Sequence, residues 1–440
     1  MALTVLITNL VLSGRSGTEV VSEQLADGLR RAGHRPMLYT TRRGPLAKAM
    51  AFRGFVVIDR LEALPVRPDI IHGHHNAPLM AALTALPEVN ALFVCHDATA
   101  MHDEPPAHPR IRRYFAVSEY TRARLLSAGI PAHQTGLLPN SVDETRYFEP
   151  RPPLPERPQR ALAILNSREH LPALREACAR ADLTLDPVGA GVGSITDSMW
   201  TVMPSYDLVF ASGRSALEAA FTGCAVVVCD ARGMHGMLRS DQEHLWRQWN
   251  LGSAILRHQV TESALLSAIR EYDSEDAAAV TRKVRLDASL GKQVEELEAI
   301  YREIINMPAS PGTDAERQAL ARFIEDCVPS DAADRPWKEL AREAIGAEID
   351  TTLDAMTALR SEILERLDAH RWDRNCSDQR VASEMNSLRA LLAELDANFA
   401  RRVKEAHQEA LLEKAGFLRR VERRLRHTLA GRNGRPTAER

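Results

Sequence analysis

The stretch Ala211–Asp230, ASGRSALEAAFTGCAVVVCD, sets Ser212, Gly213 and Arg214 about one turn ahead of a lone carboxylate, Glu218, and closes on a run of valines. Turn, helix and strand in that order place a helix N-terminus beside a strand end. The first N–H groups of such a helix have no intrahelical acceptor, and a guanidinium pairs with oxyanions through two parallel hydrogen bonds. Together they suit a phosphate group. Other strand ends carry further candidates. SGRSGTE (13–19) offers Ser16, Gly17 and Thr18, small residues that let a ligand approach the backbone. PDIIHGHHN supplies His72, His74 and His75, CHDA supplies His96 and Asp97, and NSREH supplies Arg168. His-x-His is a metal-ligand spacing, but no CxxC pair or second carboxylate cluster in the sequence completes it, so no metal is expected.

These residues need elements to hold them. TVLITN, PMLYT, FVVI, DIIH, ALFVCH and YFAVS read as short buried strands, with helical stretches such as EVVSEQLADGLRRAGH between most of them. Strand and helix in alternation predict a parallel sheet covered on both faces. EPRPPLPERPQ, with prolines at 150, 152, 153, 155 and 158, reads as a semi-rigid linker. A second alternation follows: ALAILNS, HLPALREACARA, LTLDPVG, DLVFAS, SALEAAFTG and CAVVVCD, then helices at ESALLSAIREY and VEELEAIYREIIN. The expected class is α/β: two Rossmann-like domains, at 1–149 and 150–306, followed by a helical region at 307–440. In open parallel sheets ligands bind at the carboxyl ends of the strands, where all the candidate residues lie.

The chain has 440 residues, too many for one ordinary core. Its six cysteines form no CxxC pair, which favours reduced thiols and a cytoplasmic protein over a disulfide framework. MALTVLITNL reads as a first strand and not as a secretion signal. A net charge of −3 gives no reason to expect a nucleic-acid partner.

GTE–LA–L–AGH, PDIIHGH, the strand-terminal His96, VSEYTRARL–AGIP, PNSVDETRYFEP and LEAAFTGCAVVVCD, in order over residues 1–306, resemble successive signatures of the retaining GT-B-fold glycosyltransferases. That large family includes sucrose synthase-like and mannosyltransferase enzymes. The resemblance implies sugar transfer from a nucleotide-sugar donor to a glycan or lipid-linked acceptor, in surface polysaccharide or glycoconjugate synthesis, with no cofactor. It gives Glu218 hydrogen bonds from the donor ribose, Arg214 and Arg168 contact with the diphosphate, and His96 contact with sugar hydroxyls near the reacting carbon. His96 and Arg214 are thus the expected catalytic residues. Ser212 and Gly213 complete the donor site, while Ser16, Gly17, Thr18, His72 and His74 form an acceptor-side loop. GT-B enzymes need no bound metal, and no Asp-x-Asp occurs here.

The sequence departs from the family at two points. Phe210 stands where the first of two spaced glutamates is usual, and no Lys follows Arg168 at the usual distance. Two alternatives stay open: a nucleotide-sugar 2-epimerase, and a catalytically weak scaffold acting through its helical tail. Substituting Glu218 or Arg214 by Ala is expected to weaken nucleotide-sugar binding with the fold intact.

Beyond residue 310 apolar residues recur at helical steps. One stripe runs from Ile345 through Leu353 and Leu359 to Leu367, and another from Leu388 through Leu395 and Phe399 to Ala410. They predict helical hairpins or a coiled coil, either packed on its own domain or joining copies in a homo-oligomer. Residues 417–440 hold eight arginines against two glutamates, with Phe417, Val421, Leu425 and Leu429 every four residues. Such a basic amphipathic helix suits either an anionic membrane surface at the inner face or the acidic helices upstream.

Overall fold

A computed structural model describes residues 2–14, 17–147, 151–194, 198–308 and 313–327. The apolar stripes at 345–410 and the basic segment 417–440 lie outside the described residues, as does Ser16.

Seven strands form the first sheet: β1 (Thr4–Leu12), β2 (Arg35–Arg43), β3 (Val56–Ile58), β4 (Ile70–His74), β5 (Ala91–Cys95), β6 (Ile111–Ala116) and β7 (Thr135–Leu137). They are all parallel, in the order β3-β2-β1-β4-β5-β6-β7. β4 and β5 are buried at every position, as expected of central strands covered by helices on both faces. The second sheet holds β8 (Arg160–Ile164), β9 (Thr184–Val188), β10 (Leu208–Ala211), β11 (Ala225–Asp230) and β12 (Gly233–Met237), in the order β12-β11-β10-β8-β9. Its strands are parallel except β12, which turns back on β11 through Ala231 and Arg232. The strand order reverses between β1 and β4 in the first sheet and between β8 and β10 in the second. At such switch points the loops run to opposite faces and open a crevice at the carboxyl ends.

Helix Leu290–Ile305 is part of the second alternation by sequence but packs in the first core. Leu290, Val294, Leu297, Tyr301 and Ile304 recur at helical steps and are buried with Leu25, Ala26 and Leu29 of helix Gly17–Arg31. Gly28 lets the two helices approach: a Cβ there would lie 2.8 Å from a Val294 methyl. Ser289 caps the helix at the Lys292 amide, and the Glu144 carboxylate accepts from the Leu290 and Gly291 amides at 3.0 and 3.1 Å. Glu144 belongs to the outgoing crossing between the sheets and Ser289 to the returning one, and the Val142 amide donates to the Ala288 carbonyl at 2.8 Å. Buried Asp143 accepts from Arg31 at 2.9 Å, which ties the outgoing crossing to the first helix. Helix Asp314–Cys327 also lies on the first sheet's layer, through Leu320, Phe323 and a 3.2 Å pair between Arg110 and Glu316.

Candidate active site

The carboxyl ends of the two sheets face each other. Asp97, just past β5, lies close enough for its charge to act on Arg232, just past β11. On the same side the Glu119 amide donates to the Gln248 carbonyl at 2.8 Å, and the Asn140 amide to Asn250 Oδ1 at 3.1 Å.

The end of the first sheet is built of histidines. β4 carries His72 and His74 on one face, both 1% exposed, so they lie within the strand and not in the acceptor-side loop that the resemblance implied. Burial is tolerated because each ring finds a partner. His72 Nδ1 lies 2.6 Å from the Tyr301 hydroxyl, and His74 Nδ1 lies 2.8 Å from His96 Nε2. His75, at φ +63°, ends the strand and accepts from the Leu10 amide at 3.2 Å. Burial pushes His72 down to about 3, His96 to about 4 and His75 to about 2, with neighbouring histidines adding to the effect; His74 is also pushed well down. All four rings are therefore neutral at pH 7. The His96 amide donates to Asp103 Oδ1 at 3.2 Å, and burial pushes the Asp103 carboxyl up to about 7.

The β1 loop is folded around Glu19. Its carboxylate accepts from the Ser13 and Gly14 amides at 2.6 and 2.9 Å, so those N–H groups are not offered to a ligand. Gly17 and Thr18 open helix Gly17–Arg31, and the Thr18 carbonyl accepts from Asn9 Nδ2 at 3.1 Å.

The end of the second sheet is built of arginines and a helix N-terminus. Helix Gly213–Thr222 starts directly after β10, with Gly213 at φ +56° and its amide donating to the Leu251 carbonyl at 2.7 Å. Ser212 donates from Oγ to Asp230 Oδ2 at 2.5 Å and so links the ends of β10 and β11. Arg214 Nε donates to Glu218 Oε1 at 2.7 Å, and the Tyr147 hydroxyl also hydrogen-bonds this carboxylate. Glu218 is 6% exposed, whereas Arg214 Nη1 is buried with no partner among the described residues, a guanidinium edge left for an acceptor. Arg168, past β8, donates to the Gly191 carbonyl at 2.6 Å and lines an open cavity of about 450 Å³ with Arg175 and Ser194. Gly189, at φ +116°, lets the β9 loop close on β8, since a Cβ there would lie 2.4 Å from the Leu165 carbonyl oxygen. Although partial burial opposes it, hydrogen bonds from Arg232 and Ser212 hold the Asp230 carboxyl below the usual range.

The structure thus brings Ser212, Gly213, Arg214 and Glu218 together, with Arg168 past the neighbouring strand β8. His96 stands at the opposing end, backed by His74. Phe210 is fully buried within β10, pointing into the core, where a carboxylate would have no route to a ligand. Sequence reasoning missed Tyr147, Asp103, Arg232 and Tyr301. Tyr147 and Tyr301 stood inside motifs that were read for other residues, and Asp103 had no local signal at all.

His75, His102 and Asp103 bring ligand-type atoms within 4.8 Å of one another, which no sequence spacing announced. They do not fit a metal ion. The Leu10 N–H donates to His75 Nδ1, so the neutral ring carries its proton on Nε2 and has no free lone pair.

Residues 15–146 match the model of Glycosyltransferase Family 4. No curated protein matches the chain. A solved glycosyltransferase from Rickettsia africae is 14% identical, with a TM-score of 0.50 over 69% of this chain and 99% of its own. Anabaena HepE, solved with UDP, is 12% identical, with a TM-score of 0.48 over 69% and 100%. Residues 15–146 are thus similar to Glycosyltransferase Family 4, and the two α/β sheets share the fold of the Rickettsia protein along nearly its whole length.

Proposed function

We propose that the protein moves a sugar from a nucleotide-sugar donor to a glycan or lipid-linked acceptor, with retention at the anomeric carbon and without a bound metal. The observation that carries this reading is the facing of two switch points, with Asp97 past β5 of one close enough for its charge to act on Arg232 past β11 of the other. When the bond from the anomeric carbon to the diphosphate breaks, its electron pair stays on the diphosphate. The Arg214 edge and the first-turn amides after Gly213 are placed for that growing charge, and preorganised dipoles of this kind are often the largest catalytic contribution. Glu218 receives the ribose hydroxyls through its remaining lone pairs, and His96 meets the sugar hydroxyls from the other side. Residues 1–149 serve the acceptor and 150–306 the donor, apart from helix Leu290–Ile305.

A thermal-shift screen against UDP-, GDP-, ADP- and CMP-sugars tests the donor, because a ligand that binds only the folded state raises Tm. At least one is expected to do so; no shift with any of them removes the reading. Turnover is expected to survive EDTA, with the product keeping the donor's anomeric configuration by NMR. Among the described residues no helix is long and apolar enough to cross a membrane. The reading extends to a peripheral cytoplasmic enzyme whose residues 417–440 contact anionic lipid at the inner membrane face. Co-sedimentation of full-length and 1–416 protein with anionic and neutral liposomes tests that placement.

A further inference from the structure

Buried His74 on β4 and part-buried His96 just past β5 share one hydrogen bond, and that bond decides which nitrogen of His96 a ligand meets. His74 Nδ1 and His96 Nε2 are 2.8 Å apart, and both rings are neutral, so one nitrogen carries the proton and the other the lone pair. His74 is 1% exposed, and its other nitrogen, Nε2, is buried without a partner. If His74 accepted through Nδ1, its proton would sit on Nε2 as an orphaned buried N–H. Such an orphan does occur at His75 Nε2, where the Leu10 amide forces it; no backbone donor forces it at His74, and orphaned donors are the rarer case in native structures. The opposite assignment leaves Nε2 as a bare lone pair and makes His74 Nδ1–H the donor. His96 must then carry its own proton on Nδ1, the ring nitrogen that makes no hydrogen bond among the described residues. The His74 ring is held in place by His72, at a centroid distance of 4.7 Å, and His72 is fixed in turn by Tyr301.

We infer that His74 is a positioning residue that holds His96 in its Nδ1–H tautomer, so that His96 presents a hydrogen-bond donor to the sugar. The inference rests on the proposed contact between His96 and the donor sugar. No proton is transferred; the effect is on which group a hydroxyl oxygen meets. A ring turned to the other tautomer would offer a lone pair at the same point and select a different hydroxyl geometry.

Long-range proton–nitrogen NMR correlations on protein with ¹⁵N-labelled histidine read the tautomer directly. The expected result is a protonated Nδ1 and a bare Nε2 on His96; a proton on Nε2 overturns the inference. Three variants add a functional readout. In His74→Asn the amide nitrogen takes the place of Nδ1 and still donates, so turnover is expected within about twofold of wild type. In His74→Asp the side chain only accepts, which forces the proton onto His96 Nε2, and turnover is expected to fall about tenfold or more at unchanged nucleoside diphosphate affinity. His74→Leu is expected to fall between them. An Asp variant that is folded and fully active overturns the inference, and the wild-type spectrum decides the matter if that variant does not fold. Full turnover in His96→Ala would instead remove the sugar contact, leaving the tautomer to be read by NMR.

Discussion

The two ends that face each other across the cleft solve different electrostatic problems. The first sheet ends in four neutral histidine rings packed within one another's reach, all kept uncharged by burial. The second ends in Arg168, Arg214 and Arg232, which follow β8, β10 and β11, three neighbouring strands. A guanidinium keeps its charge under almost any burial, while an imidazole gives its proton up. Fixed positive charge is thus gathered on one side, and uncharged imidazoles, with the carboxylate of Asp97 beside them, on the other. That division suits a ligand with a dianionic half and a hydroxyl-bearing half.

The largest expected difference between the ends is their response to acid. Each of these four histidines has a folded value below its unfolded value near 6.5, so the unfolded chain binds more protons as the pH falls. Their stabilising contribution is complete above about 6.5 and is lost on acidification toward about 3. At pH 5 each of His72 and His75 costs up to about 2 kcal/mol by this linkage. Asp103 acts with the opposite sign. Its folded value near 7 exceeds the unfolded one, so it contributes stability below about 4 that is lost as the pH rises to about 7. The histidines outnumber it, and the net expectation is marked acid lability. Urea unfolding at pH 7 and pH 5 checks this, and a flat profile would mean that the rings are solvated or charged.

A second test breaks the cationic end. Glu218 is buried and holds both Arg214 and Tyr147, so Glu218→Ala strands a guanidinium as well as removing the proposed ribose acceptor. The sequence alone led to the expectation of an intact fold; the structure makes this variant destabilised by about 3 kcal/mol. Glu218→Gln retains an acceptor for Arg214 and is the sharper probe. It is expected to keep most of the stability yet lose affinity for the bare nucleoside diphosphate. Equal nucleotide affinity in wild type and Glu218→Gln would return Glu218 to a structural role.

How far the two ends were legible follows from the range of the interactions. The helix start after β10 was readable because turn, cap and amphipathic helix are consecutive in the chain, and Ser212, Gly213, Arg214 and Glu218 lie within seven residues. The parallel sheets were readable for the same reason, strand by strand. The histidine end was only half readable. His72 and His74 alternate along one strand, but their partners, Tyr301 and His96, come from a helix over two hundred residues later and from a neighbouring strand. The crossing of helix Leu290–Ile305 to the first core was likewise hidden, since amphipathic spacing shows that a face is buried without showing against which domain.

On the neutral end, His96→Ala is expected to lower turnover about tenfold, the equivalent of one hydrogen bond made in the transition state. Nucleoside diphosphate affinity should stay within about twofold, because the diphosphate is held from the other side. A loss of both in proportion would mean that the histidine end also binds the nucleotide, and the division of labour would fail.

The smallest effect belongs to Arg168, and it separates the arginines from one another. Arg214 is part-buried, with one guanidinium nitrogen buried and without a partner among the described residues, whereas Arg168 is exposed and already donates to the Gly191 carbonyl. An exposed charge acts on a ligand through solvent, so Arg168→Ala is expected to weaken nucleoside diphosphate binding by about 1 kcal/mol, roughly fivefold, at low salt. Screening shortens the range of such a charge to about 3 Å at 1 M salt, so the difference from wild type should nearly vanish there. The loss in Arg214→Ala should persist, because a contact made inside the protein is screened far less. Titrating the nucleoside diphosphate into both variants across a salt series reads the two slopes. If the Arg168→Ala deficit proved as salt-resistant as that of Arg214→Ala, Arg168 would be making a direct, desolvated contact. The diphosphate would then lie across the ends of both β8 and β10, and the cationic end would be a two-arginine clamp.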